Sequence, residues 1–125
     1  MRSKASVLSA AAAMAFALTL SAEAHHGWGG QQSERFELTG TVRQEVSLSN
    51  PHATMQIVDA DGQVWDLTLA PPSRTRRAGL EEGVIPVGAE VTISGRRNSD
   101  PDRYEVKTER VTYEGRNYDV YADRL

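Results

Sequence analysis

A period of two governs the centre of this chain. From Phe36 to Leu48 the residues Phe36, Leu38, Gly40, Val42, Gln44, Val46 and Leu48 share one mostly apolar face, while Glu37, Thr39, Thr41, Arg43, Glu45 and Ser47 share the other. Alternation of this kind suits no helix, whose period is 3.6. It describes a strand buried on one side. A strand this long must bend to stay on one small core. Gly40, on the apolar face, marks a place where a missing side chain allows a sharp bend or a bulge.

The remaining pattern supplies more short strands. Ser49-Asn50-Pro51 breaks the first, and His52 to Val58 forms a second with Ala53, Met55 and Ile57 on one face. Asp59-Ala60-Asp61-Gly62 reads as a hairpin turn into a third strand, Gln63 to Leu69, with Trp65 and Leu67 inward. Pro71-Pro72 ends it, and Ser73 is expected to cap a short helix that runs through Ala78 and stops at Gly79. Ala89 to Arg97, Arg103 to Tyr113 and Arg116 to Tyr121 complete the set. The expected fold is all-β: a small OB-like antiparallel barrel of five or six strands, with one short helix between strands 3 and 4. Its inward set is Phe36, Leu38, Val42, Met55, Ile57, Trp65, Leu67, Val91 and Ile93. An open β-sandwich or another small barrel is the competing architecture.

Ahead of the barrel the composition changes. Arg2 and Lys4 precede an uncharged, largely apolar stretch from Ala5 to Leu20, and Ala22-Glu23-Ala24 follows. That is the layout of a secretory signal, with cleavage expected after Ala24. The apolar stretch is short for a membrane span, which needs roughly 20 apolar residues, and with no cysteine in the chain there is no residue for lipid attachment there. The expected organisation is therefore a cleaved signal over 1–24, a flexible arm over 25–35 and the barrel over 36–125, in an exported, periplasmic protein without a membrane anchor. Cleavage leaves 12 basic and 16 acidic side chains. A mildly acidic chain is a poor partner for nucleic acid, which requires a concentrated basic face.

The absence of cysteine also directs the metal chemistry. A soft-metal site must here use His or Met. The three histidines of the chain are His25, His26 and His52, and cleavage after Ala24 makes the first two the new terminus. A terminal histidine chelates with its free amine and its imidazole together, and His26 adds an imidazole and an ionisable amide. Nitrogen sets of this kind suit Cu(II). The amine titrates near 8 and imidazole near 6.5, so the proton cost at neutral pH is small. His52 is the natural third imidazole, and an extended arm reaches roughly 30 Å. Met55 lies on the opposite strand face and is assigned to the core. The competing reading makes the paired histidines a solvated tail.

Several segments also resemble the motifs of a known family. Ala24-His25-His26-Gly27-Trp28, Gly40-Thr41-Val42, Asn50-Pro51-His52, Gly88-Ala89-Glu90-Val91 and Gly95 resemble a family of small exported bacterial proteins of uncharacterised function. Its members share an Ala-His-His-Ser/Gly-Phe/Trp start, a Gly-x-Val strand, an Asn-Pro-His turn and a Pro-Gly-x-x-Val strand. This chain has Val87-Gly88 in place of Pro-Gly. The resemblance implies that all three histidines belong to the family pattern, and it supplies no activity. The start is also similar to that of copper proteins that bind through an N-terminal histidine, the histidine-brace oxygenases among them. Only the terminal histidine is shared.

The expected function is therefore metal binding, with copper held by His25, His26 and His52 for buffering, transport or sensing, and with Trp28 placed to cover the ion. The alternative is a metal-free module for a glycan, peptide or periplasmic partner protein, and a copper redox enzyme is a more distant third. Other features are weaker. Asp59-x-Asp61-Gly62 imitates a calcium loop, but Ala70 stands where the closing Glu would be. Arg74, Arg76 and Arg77 form a basic patch on the short helix, able to meet an anionic glycan or a lipid headgroup. Tyr104, Tyr113, Tyr118 and Tyr121 could make a stacking platform, although Tyr104 and Tyr118 are expected to fill the core. No catalytic triad, phosphate loop or cofactor fingerprint is present.

Overall fold

A computed structural model describes residues 28–125. The stretch expected to be a signal, His25 and His26 lie outside the described residues. From Gln31 onward the chain forms one unit. Its strands are β1 (Phe36–Ser47), β2 (Thr54–Val58), β3 (Val64–Thr68), β4 (Glu90–Arg97), β5 (Glu105–Tyr113) and β6 (Arg116–Asp119). The helix α1 (Pro72–Arg77) lies between β3 and β4, and a 3₁₀ turn covers Ala122–Arg124.

The first strand organises the rest because it serves two neighbours. Its beginning pairs with β4, from Phe36 opposite Gly95 to Thr41 opposite Glu90. Its end pairs with β2, from Thr41 opposite Val58 to Ser47 opposite Thr54. The crossover happens beside Gly40. A Cβ there would stand 2.7 Å from the Val58 carbonyl oxygen, so the close approach of β2 requires a glycine. Irregularities follow between Val42 and Gln44 and between Gln44 and Ser47. They explain why Gln44 is exposed although parity puts it with buried Val42 and Val46.

The barrel closes in the order β1-β2-β3-β5-β4, with β6 added outside it on β5. This is the small barrel that the alternation predicts, with one correction. Four of its five pairings are antiparallel, but β3 and β5 run parallel, Leu67 opposite Val106. The link from β3 to β5 passes through α1 and β4, which leaves room for a parallel closure that a simple meander lacks. Asp66 N–H also donates to the Tyr104 carbonyl at 2.9 Å, extending this seam.

The core is aliphatic. Val42, Met55, Ile57, Leu67, Val91, Ile93, Val106 and Val111 are each at most 1 % exposed. Leu38 and Phe36 are half-buried, since the entry of β1 lies at the rim. Trp65 is buried and lies 5.2 Å from both the Phe36 ring and the Tyr104 ring, the latter edge-on. Tyr118 is in the core as expected, but Tyr104 is not, being 39 % exposed. Tyr104 immediately precedes β5 and packs its edge on Trp65 from outside.

One local expectation needs correction. Ser73 does not cap the helix: Pro71 occupies the cap position without a side-chain bond and Pro72 stands in the first turn. Proline is suited to that turn because its missing N–H would have no helical partner. The end is held instead by buried Thr75, whose hydroxyl donates to the Ala70 carbonyl at 2.8 Å. Of the arm expected over 25–35, the described residues begin at Trp28. Gln31 bridges to Asn98, Gln32 N–H donates to the Arg97 carbonyl at 2.8 Å, and Arg96 donates to the Ser33 carbonyl. Gln31 to Arg35 is thus tied along the end of β4.

Candidate metal centre

His52 stands two residues before β2, in the connection from β1. The connection is held at several points. The Ser47 and Ser49 hydroxyls are 2.8 Å apart, and Leu48 N–H donates to Glu82 Oε1 at 3.4 Å. The Asn50–Pro51 peptide is cis. Next to His52, Ala53 pairs with the end of β3: its N–H donates to the Ala70 carbonyl at 2.9 Å, and its carbonyl accepts from Leu69 N–H at 2.8 Å. These two bonds extend the β2–β3 pairing one residue beyond the strand as bounded. They fix the backbone on which His52 sits.

Side-chain placement follows from the same pleat. Ala53 and Met55 are buried inside, so His52 and Thr54 take the outward face, and His52 is half-buried. Met55, at 1 % exposure, belongs to the core as expected. His52 makes no side-chain hydrogen bond with the described residues. Among those residues no group of three or more His, Cys, Asp or Glu is assembled that could hold a metal ion. His25 and His26, the other two expected ligands, lie outside the described residues, so of the three histidines the structure places His52.

The imitation of a calcium loop resolves into a turn. Asp59 Oδ1 accepts from the N–H groups of Asp61 and Gln63, each at 2.9 Å, and Oδ2 accepts from the Trp65 indole N–H at 2.9 Å. Three donors already occupy this carboxylate. They hold its pKa below the ordinary aspartate value, with the Trp65 bond the largest cause and Gln63 next.

Two charged centres escape the sequence reading. Glu109 is wholly buried in β5, with Arg96 Nε at 3.2 Å and the guanidinium groups of Arg35 and Arg124 each at 3.6 Å. The signal for it is a break in parity. Val106 and Thr108 face inward, and so does Val111, which requires an extra residue between them; the β4–β5 register shifts there, between Ser94 and Gly95. Its carbonyl accepts from Val120 and Tyr121, anchoring the C-terminal segment. The second centre is Arg97, whose guanidinium stands 4.8 Å from the Trp65 ring, 5.5 Å from Tyr104 and 5.9 Å from Phe36. Three aromatic rings around one cation close this end of the barrel.

No curated protein is similar enough to the chain to match it. A family match, by contrast, spans residues 12–107, from within the apolar N-terminal stretch to β5, and so takes in all three histidines. On that extent, the chain belongs to the family of unknown function DUF6152.

Proposed function

We propose that this protein is exported, is processed to begin at His25, and binds a copper-type ion through His25 and His26, with His52 as a further donor. Its role is to buffer, carry or sense that ion. The observation that carries the reading is the distribution of imidazoles: a chain with three histidines and no cysteine has two of them directly after a cleavage-site pattern and the third in an Asn-Pro-His turn. Amine and imidazole nitrogens favour Cu(II) among the common divalent ions. The support at His52 is a half-buried imidazole on backbone fixed by the Ala53 bonds to Ala70 and Leu69. A donor on fixed backbone loses less freedom on binding than one on a loose loop.

The experiment begins with the mass of the exported protein, which should correspond to a chain starting at His25. Cu(II) titration of that form should show one ion bound more tightly than Zn(II), with affinity falling as the pH drops below about 6 because amine and imidazoles must lose protons. A processed form beginning elsewhere, or equal indifference to both metals, overturns the proposal.

A further inference from the structure

Among the described residues three buried side-chain atoms lack a hydrogen-bond partner: Gln31 Oε1, Arg97 Nε and Glu109 Oε1. All three fall on one seam. Gln31 bridges to Asn98, next to Arg97 at the end of β4, and Gln32 N–H donates to the Arg97 carbonyl at 2.8 Å. Arg96, one residue earlier on β4, donates to the Ser33 carbonyl and, at 3.2 Å, to Glu109 Oε2. A buried polar atom without a partner disfavours the state that buries it, because water satisfies it on opening.

Two exposed segments meet on this seam. In Gln31–Arg35 residues 32–35 are exposed and no side chain is apolar. The 3₁₀ turn Ala122–Arg124 is exposed throughout. Neither buries an apolar side chain that would hold it down. Both are held instead by one carboxylate: Arg35 NH2 lies 3.6 Å from Glu109 Oε1, and Arg124 Nε lies 3.6 Å from Oε2. Arg35 NH2 also donates to the Arg124 carbonyl at 3.0 Å, so the two segments are bonded to each other although 89 residues separate those two arginines. Asp123 pairs with Arg74 as well, but both groups are largely exposed, and such a pair adds little. When either segment leaves, water reaches Glu109 and weakens its attraction for the other.

We propose that Gln31–Arg35 and Ala122–Arg124 form a two-part clasp on Glu109, which opens as one unit while the barrel stays folded. Opening brings the three unpartnered atoms into water and releases the Arg97 carbonyl, the acceptor for Gln32 N–H. Because the coupling is a property of the pair, loosening either segment loosens the other. The inference is independent of the metal reading, since none of the three histidines takes part.

The test is amide hydrogen exchange in the metal-free full chain, read by NMR. The reporters are Gln32 N–H, bonded to the Arg97 carbonyl, and Arg124 N–H, bonded to the Tyr121 carbonyl at 3.0 Å. Both should exchange with one opening free energy, and at least about tenfold faster than the barrel amides of Asp66 and Leu69. Arg124→Gln should speed exchange at Gln32, and Arg35→Gln at Arg124, each about threefold, the effect of a partly exposed ion pair. Glu109→Gln should speed both reporters about tenfold. Arg43→Gln, whose side chain bonds Gln56 on another part of the barrel, should change neither. The two clasp arginines are exposed, so their variants decide the matter even if Glu109→Gln does not fold. Acceleration confined to the substituted segment would make these two independent contacts. Exchange of both reporters at the rate of Asp66 and Leu69 would mean that they part only on global unfolding. Either result overturns the proposal.

Discussion

The Trp65 indole N–H donates to Asp59 Oδ2 at 2.9 Å, so the residue that fills one end of the barrel also ties down the β2–β3 hairpin. The bond has a consequence for pH. Asp59 is held below its ordinary pKa in the folded protein, chiefly by this bond. A depressed carboxylate pKa contributes stability that is present above the unfolded value and lost as the pH falls through the folded value. Denaturation of wild type and Asp59→Asn should therefore show a stability gap at about pH 6 that narrows towards about pH 2.5. An equal gap at both ends would show that the charge on Asp59 is irrelevant.

Trp65 itself carries packing. Its ring touches Phe36, Tyr104 and the Arg97 guanidinium. Trp65→Ala should cost about 3–5 kcal/mol, the usual range for removing a buried aromatic. Unchanged urea denaturation would place Trp65 outside the core.

Gly95 is tighter than Gly40. A Cβ at Gly95 would stand 2.2 Å from the Lys107 carbonyl oxygen and 2.9 Å from Thr108 Cα. These atoms are backbone, so the clash is relieved only by moving β5 away from β4. Gly95→Ala should destabilise by about 3 kcal/mol or more, a loss in the class of strained or overpacked sites. Amide exchange should then report weakened protection on both strands. A mild effect would mean that the β4–β5 irregularity can shift to absorb the methyl group.

Glu109 has no exposed side-chain surface, while its partners Arg35, Arg96 and Arg124 retain 43 %, 19 % and 38 %. Glu109→Ala leaves cations that still reach water, so the cost should fall below that of breaking a fully buried pair, at about 2–4 kcal/mol. The loss should appear first in protease sensitivity of the C-terminal segment, which Arg124 and Arg35 link to this carboxylate. A stable variant with an intact C-terminal segment would make Glu109 dispensable.

The barrel was legible because β1 alternates and because hairpin and breaker residues punctuate the strands after it. The parallel β3–β5 closure was not, since strand direction across a non-local pairing leaves no periodic signal. Tyr104 shows the same limit: an aromatic at the start of an expected strand reads as core, and only the parallel pairing of β3 with β5 reveals that Trp65 already fills that space. Glu109 hid for another reason. One inserted residue inverts parity, and a glutamate on a strand reads as solvated until the register shift is known. At the candidate metal centre the sequence supplied the three residues, and the structure adds the setting of His52.

The most direct test of the metal reading alters the terminus alone. Cu(II) titration should compare a chain beginning at His25 with one carrying a single extra residue before it. The extra residue removes the amine from the chelate and should weaken binding by at least about tenfold, while His52→Ala should weaken it less, since His52 adds one donor to a set assembled at the terminus. Equal affinity of the two termini, with binding abolished by His52→Ala, would contradict the account.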